Sequence, residues 1–455
     1  MSEEPGLRKD ALGLTHAVAI GVAGTAPSYS IAASTAALVG AVGALAPASL
    51  LYCGLIMIGI TFAFIHLNSA YPDSGASYAW VGRVLHRDLG FITGWAVLVS
   101  SALFMVSATV PAATATLLLV APDLATSKVH VIGVAACWLI VVSVVVVRGM
   151  HVTGVVQTVM TTIEITVLAG LSIAALVQYG PALADHLSWR AFSPAAFTPD
   201  SFAAGAVIAL FFFWGWDVTL NVSEETTDSG RTPGLAASLA MVVIVGAFMA
   251  LALVTLAVLS EPEIQAAGPG ILFAVAEKLV PRPWSYLAVI AVMLSSVGTL
   301  ETSLLQFART LFAKARAGEM HKRWSLVHAR WRTPHLATYL IVALGLTLLA
   351  LSLAYPDVDA ILKASINAIG LEIAFYYGLT AMACAWHFRH TRSPKVFVLA
   401  VAWPAASGLT LWGAAALAAR SMDVPTLTIG FGGLLAGLVP LAWIRFRFRR
   451  RAPRS

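Results

Sequence analysis

Asp217 carries the most chemistry of any residue in this chain. It lies in FFFWGWDVTLNVSEE, Phe211–Glu225, inside an apolar run long enough to cross a bilayer. A carboxylate at mid-depth in lipid costs roughly 2.5–3.5 kcal/mol on insertion scales, so it persists only against a cavity, a partner or a ligand. Two chemistries suit Asp217: pairing with an ammonium group and carrying a proton. A plainer reading has it cap a helix by accepting free backbone N–H groups. Glu224 and Glu225 end the stretch, where a gate salt bridge or a solvated position fits better than substrate contact. A second stretch of the same character, GVAGTAPSYS, spans Gly21–Ser30. It offers backbone at Ala23 and Gly24 and hydroxyls at Thr25, Ser28 and Tyr29.

Both stretches must sit on helices, because lipid provides no partner for free backbone groups. Neither helix can be continuous. Pro27 lacks an N–H and clashes with the carbonyl one turn back. Gly21 and Gly24 lower the cost of unwinding, so the first helix is expected to break around Gly24–Tyr29, with Gly215 as the matching break in the sixth. A break leaves N–H groups on one half-helix and carbonyls on the other. The N–H ends attract a carboxylate and the carbonyl ends a cation. Paired interruptions in corresponding places of two halves point to a transporter's substrate site. Phe213, Trp214 and Trp216 are candidate walls with cation–π capacity, although membrane aromatics also serve as plain packing.

Further carboxylates lie inside apolar runs. Glu164, in GVVQTVMTTIEITVLAG, is a candidate coupling group or a structural helix contact. Glu301, in SSVGTLETSLLQ, is placed to face the site or to pair with Arg309; Glu372, in NAIGLEIAFYYG, to line a vestibule. Ser295, Ser296 and Thr299 offer oxygens to a sodium ion, but hydroxyls on membrane helices commonly bond their own backbone. A proton is the expected coupling ion. Neither a metal ligand set nor a cofactor motif is evident.

Composition agrees with this setting. The 455 residues are 59% hydrophobic and 11% charged, with mean hydropathy +0.84, whereas soluble domains carry about 25% charged residues. Twelve stretches of spanning length are expected, near 14–38, 45–67, 91–120, 129–147, 153–178, 201–225, 234–259, 283–313, 334–354, 361–386, 395–418 and 427–444. With the N-terminus inside, twenty-one Lys and Arg fall in inside segments and six outside, and Arg309 lies within helix eight. The positive-inside rule then places both termini in the cytoplasm. The net charge of +6 is a membrane-surface feature, with the tail RFRFRRRAPRS anchoring to anionic lipid, and implies no nucleic-acid partner. Cys53, Cys137 and Cys384 read as packing residues. In the inside loop YPDSGASYAW, Tyr71–Trp80, turns are expected at Pro72 and Gly75 and headgroup anchors at Tyr78 and Trp80. The eleven histidines show no ligand spacing, which argues against a membrane enzyme. A non-transporting amine sensor would need a signalling domain, and none is visible.

Four features together resemble the amino acid–polyamine–organocation superfamily of secondary transporters: the broken first helix, the loop YPDSGASYAWVGRVLHRDLGFITGW, FFFWGWD followed by SEE, and QFARTLFAKARAGEM. The resemblance covers nearly the whole chain. It implies an all-α polytopic membrane protein with the leucine-transporter-like fold: one transmembrane domain, inverted five-helix repeats near 14–178 and 201–386 with discontinuous helices 1 and 6, and two extra helices near 395–444. It further implies alternating-access transport of a small amino acid or organic amine across the cell membrane, by symport or by solute exchange. Two positions depart from the pattern. Many such carriers have a Gly-x-Gly break in helix 1, where this chain reads Gly24-Thr-Ala-Pro-Ser28; that leaves room for an amine or an ω-amino acid. Some carry a lysine in the region of helix 5 where this chain has Glu164, so the lysine mechanism does not transfer.

Overall fold

The computed structural model describes residues 6–187, 191–354, 358–420 and 422–451. Arg190 and Arg454, counted in the charge balance, lie outside them. Each expected stretch corresponds to helix. The first is α1 (Leu14–Thr25) plus α2 (Pro27–Val42), followed by α3 (Ala46–Ala70) and a short α4 (Ser77–Val84). Then come α5 (Arg87–Val120), α6 (Lys128–Val147) and α7 (Met150–His186). The sixth stretch is α8 (Pro199–Phe212) plus α9 (Val218–Asn221), and the seventh α10 (Thr232–Val258). Two short helices, α11 (Glu261–Ala267) and α12 (Ile271–Leu279), precede α13 (Tyr286–Arg316), α14 (His335–Ser352) and α15 (Val358–Phe388). The chain closes with α16 (Pro394–Phe397), α17 (Trp403–Ala419), α18 (Val424–Ala436) and α19 (Leu438–Arg451). Among the described residues, 10 apolar runs are long enough to cross a membrane. The first, Leu14–Ala70, contains two of the expected crossings, and the interrupted α8–α9 segment supplies the last.

Both interruptions are sharp. α1 ends where the Thr25 hydroxyl turns back to the Val22 carbonyl at 2.8 Å. Ala26 is left-handed, at φ 47 and ψ 70, an unusual place for a residue with a Cβ. Pro27 restarts the helix at the one position where its missing N–H costs nothing. In the sixth stretch, Gly215 adopts φ +105 between the end of α8 and the start of α9. The two breaks meet: a Cβ on Gly24 would run into the Gly215 carbonyl, and one on Gly215 into the Gly24 carbonyl. Here glycine is required by close approach of one backbone to another.

The helices around this crossing are the buried ones. α13 packs on α5, α7 and α1; α15 packs on α5, α17 and α3; α10 packs on α3 and α1. Large apolar side chains are exposed mainly on the periphery, among them Val141 on α6, Val159, Ile173 and Val177 on α7, Leu409 on α17 and Val439 on α19. That is the surface a lipid-facing helix needs. Cys53 and Cys384 are buried and Cys137 exposed, all three as free thiols. The expected headgroup anchors are not at the surface. Trp80 is fully buried against Phe64 and donates to the Tyr71 carbonyl at 2.7 Å. Tyr78 is buried beneath the Lys314 ammonium. The turn through Ala76 at φ 42 folds the loop back into the protein, which the pattern of small residues alone did not disclose.

Gly24→Ala and Gly215→Ala are each expected to cost about 1–3 kcal/mol through overpacking, Gly215→Ala the more because of its backbone angle. Gly246→Ala, where a Cβ meets nothing within 4 Å, is the neutral control. Thermal denaturation of purified protein separates them, and a Gly24→Ala variant as stable as Gly246→Ala would contradict the close crossing.

Candidate functional site

Asp217 occupies the position before α9, but its carboxylate makes no cap to that helix. Three neutral donors from two other helices hold it. Gln306 Nε2 on α13 donates to Oδ2 at 2.9 Å. On α15, the Tyr377 hydroxyl donates to Oδ1 at 2.8 Å and the Tyr376 hydroxyl to Oδ2 at 3.2 Å. The residue is 1% exposed, and none of these partners carries a positive charge. Hydrogen bonding by neutral groups makes burial tolerable while leaving the negative charge available to a cation.

Aromatic rings run from this carboxylate to the start of α2. Trp214 Nε1 donates to the Tyr376 hydroxyl at 2.7 Å, and Trp214 stands edge-on to Phe104 with centroids 4.8 Å apart. Tyr29 packs on Phe104 and Phe211. On the other side, Trp216 lies against Tyr377 and Phe64. The Tyr29 hydroxyl and Trp216 Nε1 are buried without a hydrogen-bond partner among the described residues. Phe213 does not join this group; its ring packs on Phe248 of α10. A cavity of about 550 Å³, lined by Ser34, Leu210, Phe211, Ile373, Leu411 and neighbours, begins beside Phe211. Its walls come from α2, α8, α15 and α17.

The first turn of α2 is bonded by α7 and α13. The Ser28 N–H donates to Glu164 Oε1 at 2.8 Å, and the Tyr29 N–H to Ser295 Oγ at 3.2 Å. The Thr299 hydroxyl donates to the Gly24 carbonyl at 2.8 Å, at the crossing itself. Ala23 stands by Gly298. Asp217, Trp214, Trp216, Gly24, Ser28, Tyr29 and Glu164 are thus brought to the two breaks, while Thr25 spends its hydroxyl on its own helix. Glu301 is buried, with both oxygens unbonded among the described residues. It lies two residues beyond Thr299, about 200° round α13, and so on another face. The suggested Glu301–Arg309 pair is not formed, because Arg309 pairs with Glu225. Glu372 lies beside Gly433 of α18, not in the cavity. Tyr376, Tyr377, Gln306 and Phe104 were missed. The pair Tyr376–Tyr377 inside an apolar run was the available signal.

Below the breaks, ion pairs close the structure. Arg309 and Glu225 are both fully buried and bonded at 2.9 and 3.2 Å. The N-terminal segment pairs with the same place: Ala11 and Leu12 donate to the Glu225 carbonyl, and Thr227 donates to Leu12. Arg316 holds Glu224 at 2.7 Å and Asp73 at 3.4 Å. Burial holds the Asp73 carboxyl above the usual carboxylate range, opposed by the Gly75 N–H and the Arg316 guanidinium.

A family model described as amino acid permease matches residues 12–441. The chain belongs to the amino acid permease family. It is therefore a multi-pass membrane protein and a transporter of amino acids.

Breaking a buried ion pair by removing one partner costs about 3–5 kcal/mol, whereas replacing both partners by apolar groups is often neutral. Arg309→Ala is therefore expected to lower the melting temperature of the purified permease steeply. Arg309→Met with Glu225→Leu is expected to recover most of the loss. Equal stability of the single variant and the wild type would remove the pair from the closed end.

Proposed function

We propose that this permease is a secondary active transporter that moves a small amino acid or organic amine across the cell membrane by alternating access, coupled to protons. The observation that carries the reading is the Asp217 carboxylate, buried beside two facing helix breaks and bonded only by neutral donors. An ammonium group is the partner this arrangement lacks, and the adjoining indole and phenol rings suit a cation. The substrate-site group is then Ala23, Gly24, Thr25, Ser28, Tyr29, Trp214, Trp216 and Asp217, joined by Tyr376 and Gln306.

Protons are favoured over sodium by how the hydroxyls are spent. Thr299 donates straight to the Gly24 carbonyl and Ser296 to its own helix at Val292, so these hydroxyls and that carbonyl are already satisfied within the protein. Asp217 and Glu164 are the groups proposed to carry the coupling charge. Inverted repeats near 14–178 and 201–386, with the final helices outside them, fit the appearance of a break in the leading span of each half. With both termini in the cytoplasm, the ion-paired end faces inward and the apolar cavity outward.

Uptake into proteoliposomes with an imposed proton gradient tests the reading, across zwitterionic and cationic candidates. At least one is expected to accumulate, and Asp217→Asn to slow it at least about 30-fold, equivalent to losing a charge-assisted contact of roughly 2 kcal/mol. If Asp217→Asn leaves flux of every candidate intact, the site assignment fails.

A further inference from the structure

The donors at the start of α2 are fully accounted for. Pro27 has no N–H, the Ser28 N–H is bonded to Glu164, the Tyr29 N–H to Ser295, and the Ser30 N–H closes the first helical bond onto the Ala26 carbonyl. This is the amino end of a 16-residue helix, the end whose dipole and unused N–H groups favour an anion. In this chain the anion is the protein's own. On the opposite half-helix the Val218 and Thr219 N–H groups are likewise bonded, to the Gly215 and Trp216 carbonyls. A solute carboxylate entering here meets one donor already charge-assisted by Glu164 and a second carboxylate at Asp217. The hydroxyls of Ser28 and Tyr29 on this turn and Trp216 Nε1 at the facing break, unpartnered among the described residues, are polar groups open to a guest.

We infer that Glu164 is the specificity-determining residue for the solute's carboxylate: it occupies the α2 amino end in competition with that group, so a carboxylate-bearing solute binds only by displacing it. This rests on the reading of the paired breaks as the solute site. Glu164 acts without being part of the ammonium contact, so its effect falls on one half of the solute alone. A solute with an amine and no carboxylate leaves the Glu164–Ser28 bond in place. A zwitterion must exchange one charge-assisted bond for another and place a second anion beside the first.

The test pairs each common α-amino acid with the amine left when its carboxylate is removed. Binding of both members is measured on the purified full-length permease, wild type, Glu164→Ala and Glu164→Gln. Glu164→Ala is expected to shift the amino acid to amine affinity ratio at least about tenfold toward the amino acid, as one charge-assisted hydrogen bond is freed. Glu164→Gln, which keeps an acceptor without the charge, is expected to shift the ratio in the same direction by less. Gln is close to isosteric with Glu and carries the test if the alanine variant fails to fold. An unchanged ratio in the folded variants would overturn the inference while leaving the solute site standing. Wild-type protein that binds no member of any pair would instead overturn the proposed site.

Discussion

The approach of Gly24 to Gly215 is the constraint around which the rest of the protein is arranged. Two unwound backbones meet with no side chain between them. Any Cβ there would force apart α1, α9 and the helices that hold them. The contact brings the end of one half-helix against the start of another, so Ser28 and Asp217, 189 positions apart in the chain, share one small volume. It also leaves backbone groups of both helices without their regular partners in an apolar setting, where each unmet group costs several kcal/mol.

The polar side chains near the crossing answer that demand. Thr299 donates to Gly24, Ser295 accepts from Tyr29, and Glu164 accepts from Ser28. The three buried carboxylates of this region differ in what satisfies them. Glu225 has an arginine, Glu164 a backbone N–H, and Asp217 three neutral side chains. Only the first is neutralised by a fixed positive charge. In a low dielectric the other two are left without a fixed counter-charge.

Much of this was legible from composition and local chemistry. Pro27 and Gly215 announced both breaks, because proline and an unusual glycine act within a single turn. Apolar length gave the spanning helices, because it too is a local property of the chain. What depends on the rotation of one helix against another was not legible. The phenols of Tyr376 and Tyr377 reach Asp217 only because α15 packs with that face toward α9. Glu301 read as a group that could face the site, yet it lies five residues before Gln306 on α13 and so on a different face. Phe213, two residues from Gly215, turns to α10 because the chain is already leaving the helix there. Tyr78 and Trp80 carried the signature of interfacial anchors, but the left-handed turn at Ala76 buries them.

The polar ties are unevenly distributed about the crossing, and this asymmetry bears on which half of the protein can move. The half-helices α1 and α9 are fastened by the buried Arg309–Glu225 pair, by the backbone bonds of Ala11, Leu12 and Thr227, and by Arg316 on Glu224. The start of α2 is tied to α7 and α13 through two hydrogen bonds, those of Ser28 and Tyr29, and the helix borders the 550 Å³ cavity. Releasing the α1–α9 end uncovers a desolvated ion pair and exposes paired backbone. Releasing the start of α2 uncovers two N–H groups that a guest's anionic or hydroxyl group is equipped to receive. On the proposed reading, a carboxylate-bearing solute reaching the breaks from the cavity competes with the contacts of α2 before it disturbs those of α1, so α2 is the first element whose equilibrium it can shift.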